Sequence, residues 1–515
     1  MQINVIEYLK KTVTTVPEKK AVIDGDQSIS FEKLNVNAKT LAVELSRLNC
    51  LNKPIAVYLP KSIESIIANI AIIYSGNAYM NLDLKTPGIR LSNILELIQP
   101  EAIITSNKYR EVVSNLAKDI PLIIYDETDL NFNPDINVLD LIESKILDTD
   151  PLCIINTSGS TGTPKGVVLN HKSFIDFTEW AIETLKITNN EIIGSLSPLV
   201  FDIYSFELCM LMAKGSTIVL LSDSLAPFPA KILSLMQENK VTFLFWVPTI
   251  MVNIANMDLL SKIPLPDLRT VWFAGEVFPT KQFNYWKNSF PMVKFVNLYG
   301  PIEITLDCTY FIVEREIKDD EPIPIGFPCR NTDILILNDK DEIAALNEEG
   351  ELCVRGTSLA MGYYNNPEKT ATAFVQNPLN ISYPEIIYRT GDVVFKNERD
   401  EIIFKGRKDS LVKHMGYRIE LGEIEHVIIN TLKLVENGCV VYNQVKKEIT
   451  LFYESKKDNS IAEMKKGIGE VFPKYMVPTV FHQMDVLPRN TNGKIDRIQL
   501  SNLINSHIAY EGCRK

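Results

Sequence analysis

Asn156-Thr157-Ser158-Gly159-Ser160-Thr161-Gly162-Thr163-Pro164-Lys165-Gly166 follows directly on the apolar run Leu152-Cys153-Ile154-Ile155. A buried strand that runs into a loop of hydroxyls, glycines and one lysine points to an α/β layer that meets an anion. Glycines let backbone N–H groups come close to a ligand. Successive N–H groups in a concave turn form an anion nest, to which Ser, Thr and Lys add donors and charge. The stretch reads as a phosphate cradle. It is not a Walker A loop, because G-x-x-x-x-G-K-[S/T] cannot be laid onto it. A flexible Gly/Ser linker accounts for neither the preceding strand nor the Pro-Lys-Gly.

Outward from this loop, short apolar strands alternate with amphipathic helices over most of the chain. Pro54-Ile55-Ala56-Val57-Tyr58-Leu59 precedes a helix with apolar residues from Ile63 to Ile73. Ala102-Ile103-Ile104-Thr105 and Pro121-Leu122-Ile123-Ile124-Tyr125 read as further strands. Buried strands followed by helices predict parallel α/β layers. From about residue 320 the pattern changes to polar turns and short strands, such as Ile334-Leu335-Ile336-Leu337 and Glu351-Leu352-Cys353-Val354. After the charged segment Gly406-Arg407-Lys408-Asp409-Ser410 come a glutamate-rich helix from Glu420 to His426, two strands and a second helix. A domain boundary is placed at Lys408–Ser410, with a small α+β unit beyond it.

A chain of 515 residues is too long for one core, so at least two domains are expected. Hydrophobic residues at 46% and charged residues at 23% describe an ordinary globular protein. The formal net charge of −11 argues against nucleic acid as a partner, which calls for a basic face. It suits a small anion in a local basic pocket. No apolar run is long enough to span a membrane, and Met1-Gln2-Ile3-Asn4-Val5-Ile6-Glu7 lacks the blocks of a signal peptide. The eight cysteines never form a C-x-x-C pair. Those in apolar runs (Cys153, Cys209, Cys353, Cys439) are expected to pack as small hydrophobes. A cytoplasmic, reduced setting is expected.

Further motifs, hundreds of residues apart, resemble the adenylate-forming (acyl-activating) superfamily. They are most similar to amino-acid adenylation domains of nonribosomal peptide synthetases and their free-standing relatives, including D-alanine–carrier-protein ligases. The resemblance runs from Ile29-Ser30-Phe31-Glu32-Lys33-Leu34 to Arg497. It implies an α/β fold with a large N-terminal domain of layered sheets and helices, residues 1–408. A small, mobile α+β domain, residues 409–515, would turn about a hinge at Asp409.

The resemblance also implies roles. Thr157, Ser158, Gly159, Ser160, Thr161, Gly162 and Lys165 would hold the β- and γ-phosphates of ATP. In Asn297-Leu298-Tyr299-Gly300-Pro301-Ile302-Glu303, Tyr299 would stack on adenine and Asn297 would read its amino group. Gly275, Glu276 and Gly300 belong to the same nucleotide site, and Glu303 would help hold Mg²⁺. Ile302 replaces the family's usual threonine. Asp392, in Tyr388-Arg389-Thr390-Gly391-Asp392, would accept from both ribose hydroxyls, a task suited to an acceptor-only carboxylate. Arg407 would support the ribose. Lys494, in Asn492-Gly493-Lys494-Ile495-Asp496-Arg497, would be the catalytic cation that bridges substrate carboxylate and α-phosphate.

Phe201-Asp202-Ile203-Tyr204-Ser205-Phe206-Glu207 separates amino-acid activators from fatty- and aryl-acid activators. Asp202 would pair with the substrate's α-ammonium. The family's side-chain pocket falls on Ile203, Phe206, Phe245, Trp272, Ala274, Leu298, Leu306 and Asp307. Asp307 with aromatic faces around it suits a guanidinium or similar cation. Aromatics that fill the cavity would instead leave room for a small substrate. The expectation leans slightly to a basic amino acid over a small or aromatic one. The expected reaction is activation as aminoacyl-AMP, then transfer to the phosphopantetheine thiol of a carrier protein in nonribosomal peptide or related natural-product biosynthesis. An acyl- or aryl-CoA ligase is the alternative. With no carrier segment after Arg497, the enzyme is expected to be free-standing or excised from a larger synthetase.

Overall fold

The computed structural model describes residues 3–130, 136–157, 164–408, 411–455, 460–489 and 495–505. Ser158, Gly159, Ser160, Thr161, Gly162, Asp409, Ser410 and Lys494 lie outside the described residues. The chain divides into two compact units. One holds Met1–Leu84, Ile98–Ile155 and Gly166–Gly406; the other holds Lys85–Leu97, Asn156–Lys165 and Arg407–Lys515.

Among the described residues the first unit has sheets of nine, seven and five strands. In the nine-stranded sheet, Ile192–Ser195, Phe243–Trp246, Thr270–Phe273 and Lys294–Tyr299 lie side by side and parallel. Thr309–Ile312 closes this side antiparallel. Parallel neighbours need long crossovers, and helices Asp202–Lys214, Pro248–Asn256 and Thr280–Ser289 lie within them. Side chains alternate along each strand. Phe243, Phe245, Trp272, Val296 and Leu298 enter one buried cluster, while Leu244, Trp246, Val271, Phe273 and Phe295 enter another. Both sheet faces are therefore dry.

The seven-stranded sheet sets Pro54–Tyr58 between Ala78–Asn81 and Ala102–Thr105, all parallel. Pro151–Thr157 joins Ala78–Asn81, so the apolar run before the phosphate cradle is a central strand. The helix expected over Ile63–Ile73 runs Ile63–Tyr74, and Ser65 Oγ accepts from the Ser62 N–H at 3.0 Å to fix its first turn. The region beyond residue 320 contributes the five-stranded sheet, with Thr332–Leu337, Gly350–Gly356 and Ile386–Lys396 antiparallel. No helix among the described residues is long and apolar enough to cross a membrane.

The second unit has a hairpin of Leu411–His414 and Tyr417–Glu420, then helix Leu421–His426. A three-stranded sheet of Asn437–Asn443, Glu448–Glu454 and Val480–Gln483 follows. Helix Ile461–Val471 packs through Met464 and Ile468 into the cluster that holds Val440 and Leu451. Also within this unit, Arg90 forms an ion pair with the fully buried Glu423, its guanidinium 5.8 Å from the Phe472 ring.

Gly300 marks a close backbone crossing. A Cβ there would lie 2.3 Å from the Leu306 carbonyl oxygen and 2.5 Å from the Asp307 Cα. Backbone cannot give way as a side chain can, so Gly300→Ala is expected to destabilise by roughly 1–3 kcal/mol. Gly469, in helix Ile461–Val471, has nothing within 4 Å of that position. Gly469→Ala is expected to raise stability by about 0.5–1 kcal/mol. Urea denaturation of both variants checks the contrast.

Candidate active site

Helix Asp202–Lys214 begins after the loop that leaves strand Ile192–Ser195. Asp202 occupies its first turn, where the helix dipole favours a carboxylate, and its Oδ1 accepts from the Ile203 N–H at 2.9 Å. Phe206, four residues on, shares its face of the helix. Phe245 and Trp272 are register partners on neighbouring strands. Phe206 stacks on Trp272 with ring centroids 5.4 Å apart and planes at 23°. Phe245 meets Phe206 at 5.9 Å and Trp272 at 5.6 Å, both edge-on. Ile203, Ala274, Leu298 and Leu306 are buried in the same cluster. Asp307, also buried, follows a turn in which Thr305 and Leu306 have φ of 55° and 66°. Left-handed backbone at non-glycine residues persists only where its surroundings enforce it.

Of the residues expected at a nucleotide, Gly275, Glu276, Tyr299 and Gly300 lie at or just past the ends of parallel strands, and Asp392 lies within the antiparallel strand Ile386–Lys396. After Thr270–Phe273 come Ala274 and Gly275, whose φ of +89° suits only glycine without strain. Glu276 accepts from the Thr249 N–H at 3.1 Å and from its hydroxyl, tying this loop to the start of helix Pro248–Asn256. Asn297 donates through Nδ2 to the Pro324 carbonyl at 2.7 Å, which makes its amide oxygen the group suited to reading an amino donor. The Tyr299 hydroxyl donates to Asp392, joining residues 93 positions apart. The Asp392 N–H donates to Thr390 Oγ1 at 3.0 Å. The structure thus brings Phe206, Phe245 and Trp272 into contact, buries Ile203, Ala274, Leu298 and Leu306 in the same cluster, and separately joins Tyr299 to Asp392. Thr157 ends strand Pro151–Thr157, Arg407 ends strand Ile402–Arg407, and within the second unit Lys165 pairs with Glu420 at 2.9 Å.

Glu303 is fully buried and accepts from the Tyr363 hydroxyl at 2.8 Å. Among the described residues no three His, Cys, Asp or Glu side chains group as a metal cage. Magnesium bound with a nucleotide uses one or two carboxylates, phosphate oxygens and water. One buried carboxylate therefore fits Mg²⁺ carried by a nucleotide.

Two residues without an expected role support the site. Lys61 donates to the carbonyls of Ser195 and Ser197 at 2.8 and 2.7 Å. Glu207, fully buried, accepts from the Ser195 hydroxyl at 2.5 Å. Together they hold the loop that delivers Asp202. The signal was present in the sequence: Glu207 is the one charged residue in Tyr204-Ser205-Phe206-Glu207-Leu208-Cys209-Met210-Leu211-Met212. A carboxyl inside an apolar helical stretch calls for a specific partner.

The pattern of the family described as AMP-binding enzyme matches residues 9–364. Gramicidin S synthase 1 of Brevibacillus brevis is 28% identical over 498 residues, 96% of this chain and 44% of that protein. The chain thus spans less than half of that relative. Zwittermicin A synthase ZmaJ of Bacillus cereus is 28% identical over 500 residues, 95% of this chain and 93% of that protein. Among solved structures, the Vibrio cholerae adenylation domain AlmE, in complex with glycyl-adenosine-5'-phosphate, superposes with a TM-score of 0.85 at 20% identity, covering 98% of each chain.

Burial raises the Glu207 carboxyl from 4.5 to about 7, against the opposing pull of Lys61 and the Ser195 hydroxyl. Below pH 4.5 the folded and unfolded chains both carry the proton. Between 4.5 and 7 only the folded chain keeps it, so this group's contribution to stability falls as pH rises and levels off above 7. Its size is on the order of 3 kcal/mol. Glu207→Gln is expected to remove that share of the slope in urea stability between pH 5 and 7; an unchanged slope would contradict it.

Proposed function

The chain belongs to the AMP-binding enzyme family as an AMP-forming ligase with the adenylate-forming fold, and from this premise we propose that it activates an amino acid for transfer to a carrier-protein thiol. The observation that carries the amino-acid reading is Asp202, a carboxylate at a helix start, one turn from a dry cluster of rings. A carboxylate beside apolar surface suits a cationic partner, and an α-ammonium is one that fatty and aryl acids lack.

In the first half-reaction a substrate carboxylate oxygen bonds to the α-phosphorus of ATP. The bond from that phosphorus to the pyrophosphate oxygen breaks, and pyrophosphate leaves. In the second, the pantetheine sulfur bonds to the acyl carbon, the carbon–oxygen bond to AMP breaks, and the thiol proton passes to solvent. Little covalent work falls to the protein; positioning and charge neutralisation dominate. Asp202 holds the ammonium end, while Asn297, Tyr299 and Asp392 orient the nucleoside, helped by Arg407, Gly275, Glu276 and Gly300. Thr157, Ser158, Gly159, Ser160, Thr161, Gly162 and Lys165 take the departing phosphates. Glu303 would hold Mg²⁺, which would supply positive charge to the phosphate oxygens. Lys494 donates to the carboxylate and α-phosphate as charge builds between them. Asp409 is the hinge between the half-reactions, and residues 1–408 and 409–515 are the two domains.

Relatives named as synthases of gramicidin S and zwittermicin A support a place in natural-product biosynthesis. The slight preference for a basic amino acid required ring faces open to a cation next to Asp307. Those faces lie against one another, so the proposal does not keep that preference.

Amino-acid-dependent exchange of pyrophosphate into ATP tests this reading. Lys494→Ala is expected to lower the exchange rate by roughly 10²–10³-fold, while Met292→Ser, at a residue 95% exposed, leaves it unchanged. In the second half-reaction a phosphopantetheinylated carrier is expected to be loaded and free CoA is not. Loading of CoA alone would favour a CoA ligase.

A further inference from the structure

Resting on the amino-acid reading above, we infer that the substrate's side chain is small, between glycine and serine in size, and that Phe206, Phe245 and Trp272 form the floor that sets this limit. All three rings are 0% exposed, so a water-sized sphere touches none of them. Ile203 keeps 6% of its surface, Ala274 4% and Asp307 3%. No space that a water molecule could enter opens between the rings.

Their packing explains why. Phe206 has Trp272 stacked on it at 5.4 Å, with Phe245 and Phe177 edge-on at 5.9 and 5.3 Å. Trp272 receives Phe243 and Phe245 at 4.9 and 5.6 Å. Protein interiors are close-packed. A leucyl, phenyl or aminopropyl group would have to part rings that hold each other in their preferred offset and edge-on geometries. A cationic side chain meets a second obstacle. It would lose its water while finding no open ring face for a cation–π contact.

Trp272 adds a polar feature to the floor. Its indole N–H is buried without a hydrogen-bond partner among the described residues. A buried donor left unpaired is costly, and with the ring 0% exposed no substrate oxygen reaches it unless the rings part. Serine, one heavy atom larger than alanine, marks the upper edge of the accepted class. Leucine, phenylalanine, lysine, ornithine and arginine fall outside it.

The test is ATP–pyrophosphate exchange by the full chain with glycine, alanine, serine, leucine, phenylalanine, lysine, ornithine and arginine, each supplied separately. One of the three small amino acids is expected to exceed every large one in kcat/KM by about tenfold or more, the discrimination that a steric limit gives. A large or cationic amino acid that equals or exceeds the small ones overturns this inference and leaves the adenylation reading standing. Exchange with none of the eight also overturns the size limit, and exchange with none of the twenty standard amino acids or ornithine overturns the amino-acid reading itself. Phe245→Leu, a milder change than truncation to alanine, is expected to raise leucine relative to alanine by about tenfold. An unchanged ratio in a folded, ATP-binding variant would remove the rings as the floor.

Discussion

A parallel sheet dry on both faces leaves a ligand few places to go. Phe245, Trp272 and Leu298 enter one core while Trp246, Phe273 and Phe295 enter the other. Sequential parallel strands also place their carboxyl ends together, and open α/β sheets bind ligands outside those ends. Ala274, Gly275 and Glu276 follow one strand; Tyr299 and Gly300 stand at the end of the next. The loop to Asp202 leaves a third. Residues between Asp202 and Gly300 are thus drawn to one rim by sheet topology.

At that rim, polar and apolar requirements are kept apart. The ring cluster supplies shape and excludes water, and aromatic pairs of this kind contribute about 0.5–1.5 kcal/mol each beyond area burial. Charge is confined to a few carboxylates with defined partners. Glu303 takes the Tyr363 hydroxyl, Glu207 takes Ser195, and Asp392 takes Tyr299. Lys61 and Glu207 never need to touch substrate to matter, since they fix the loop that carries Asp202. The left-handed turn at Thr305 and Leu306, crossed closely by Gly300, fixes the Asp307 wall in the same indirect way.

Much of this was legible in the residues. Leu152-Cys153-Ile154-Ile155, Ala102-Ile103-Ile104-Thr105 and Ile334-Leu335-Ile336-Leu337 are strands, because each is a short apolar run bounded by turn residues. The site motifs were legible because glycine, carboxylate and hydroxyl chemistry at fixed spacing leaves a local trace. Ring packing was not. Phe206, Phe245 and Trp272 are identified one by one in the sequence, yet whether they flank a slot or close it depends on register and helix rotation. Nor could local pattern group Lys85–Leu97 with the residues after Arg407, since that grouping is made by pairs such as Arg90 with Glu423, 333 positions apart. Glu207 was visible as an anomaly, but its partner Ser195 becomes a neighbour only through the helix turn and the strand before it.

The central claim is that Asp202 engages an α-ammonium on a carboxylate activated by AMP. It is tested most directly by binding two inert adenylate mimics to the whole chain, alanyl-sulfamoyl-adenosine and its des-amino counterpart propionyl-sulfamoyl-adenosine. Titration calorimetry is expected to find the amino compound bound about 10²–10³-fold more tightly, the scale of losing one member of a desolvated charge pair, with Asp202→Asn erasing most of the difference. Equal affinity of the two compounds for the unaltered chain would contradict the account.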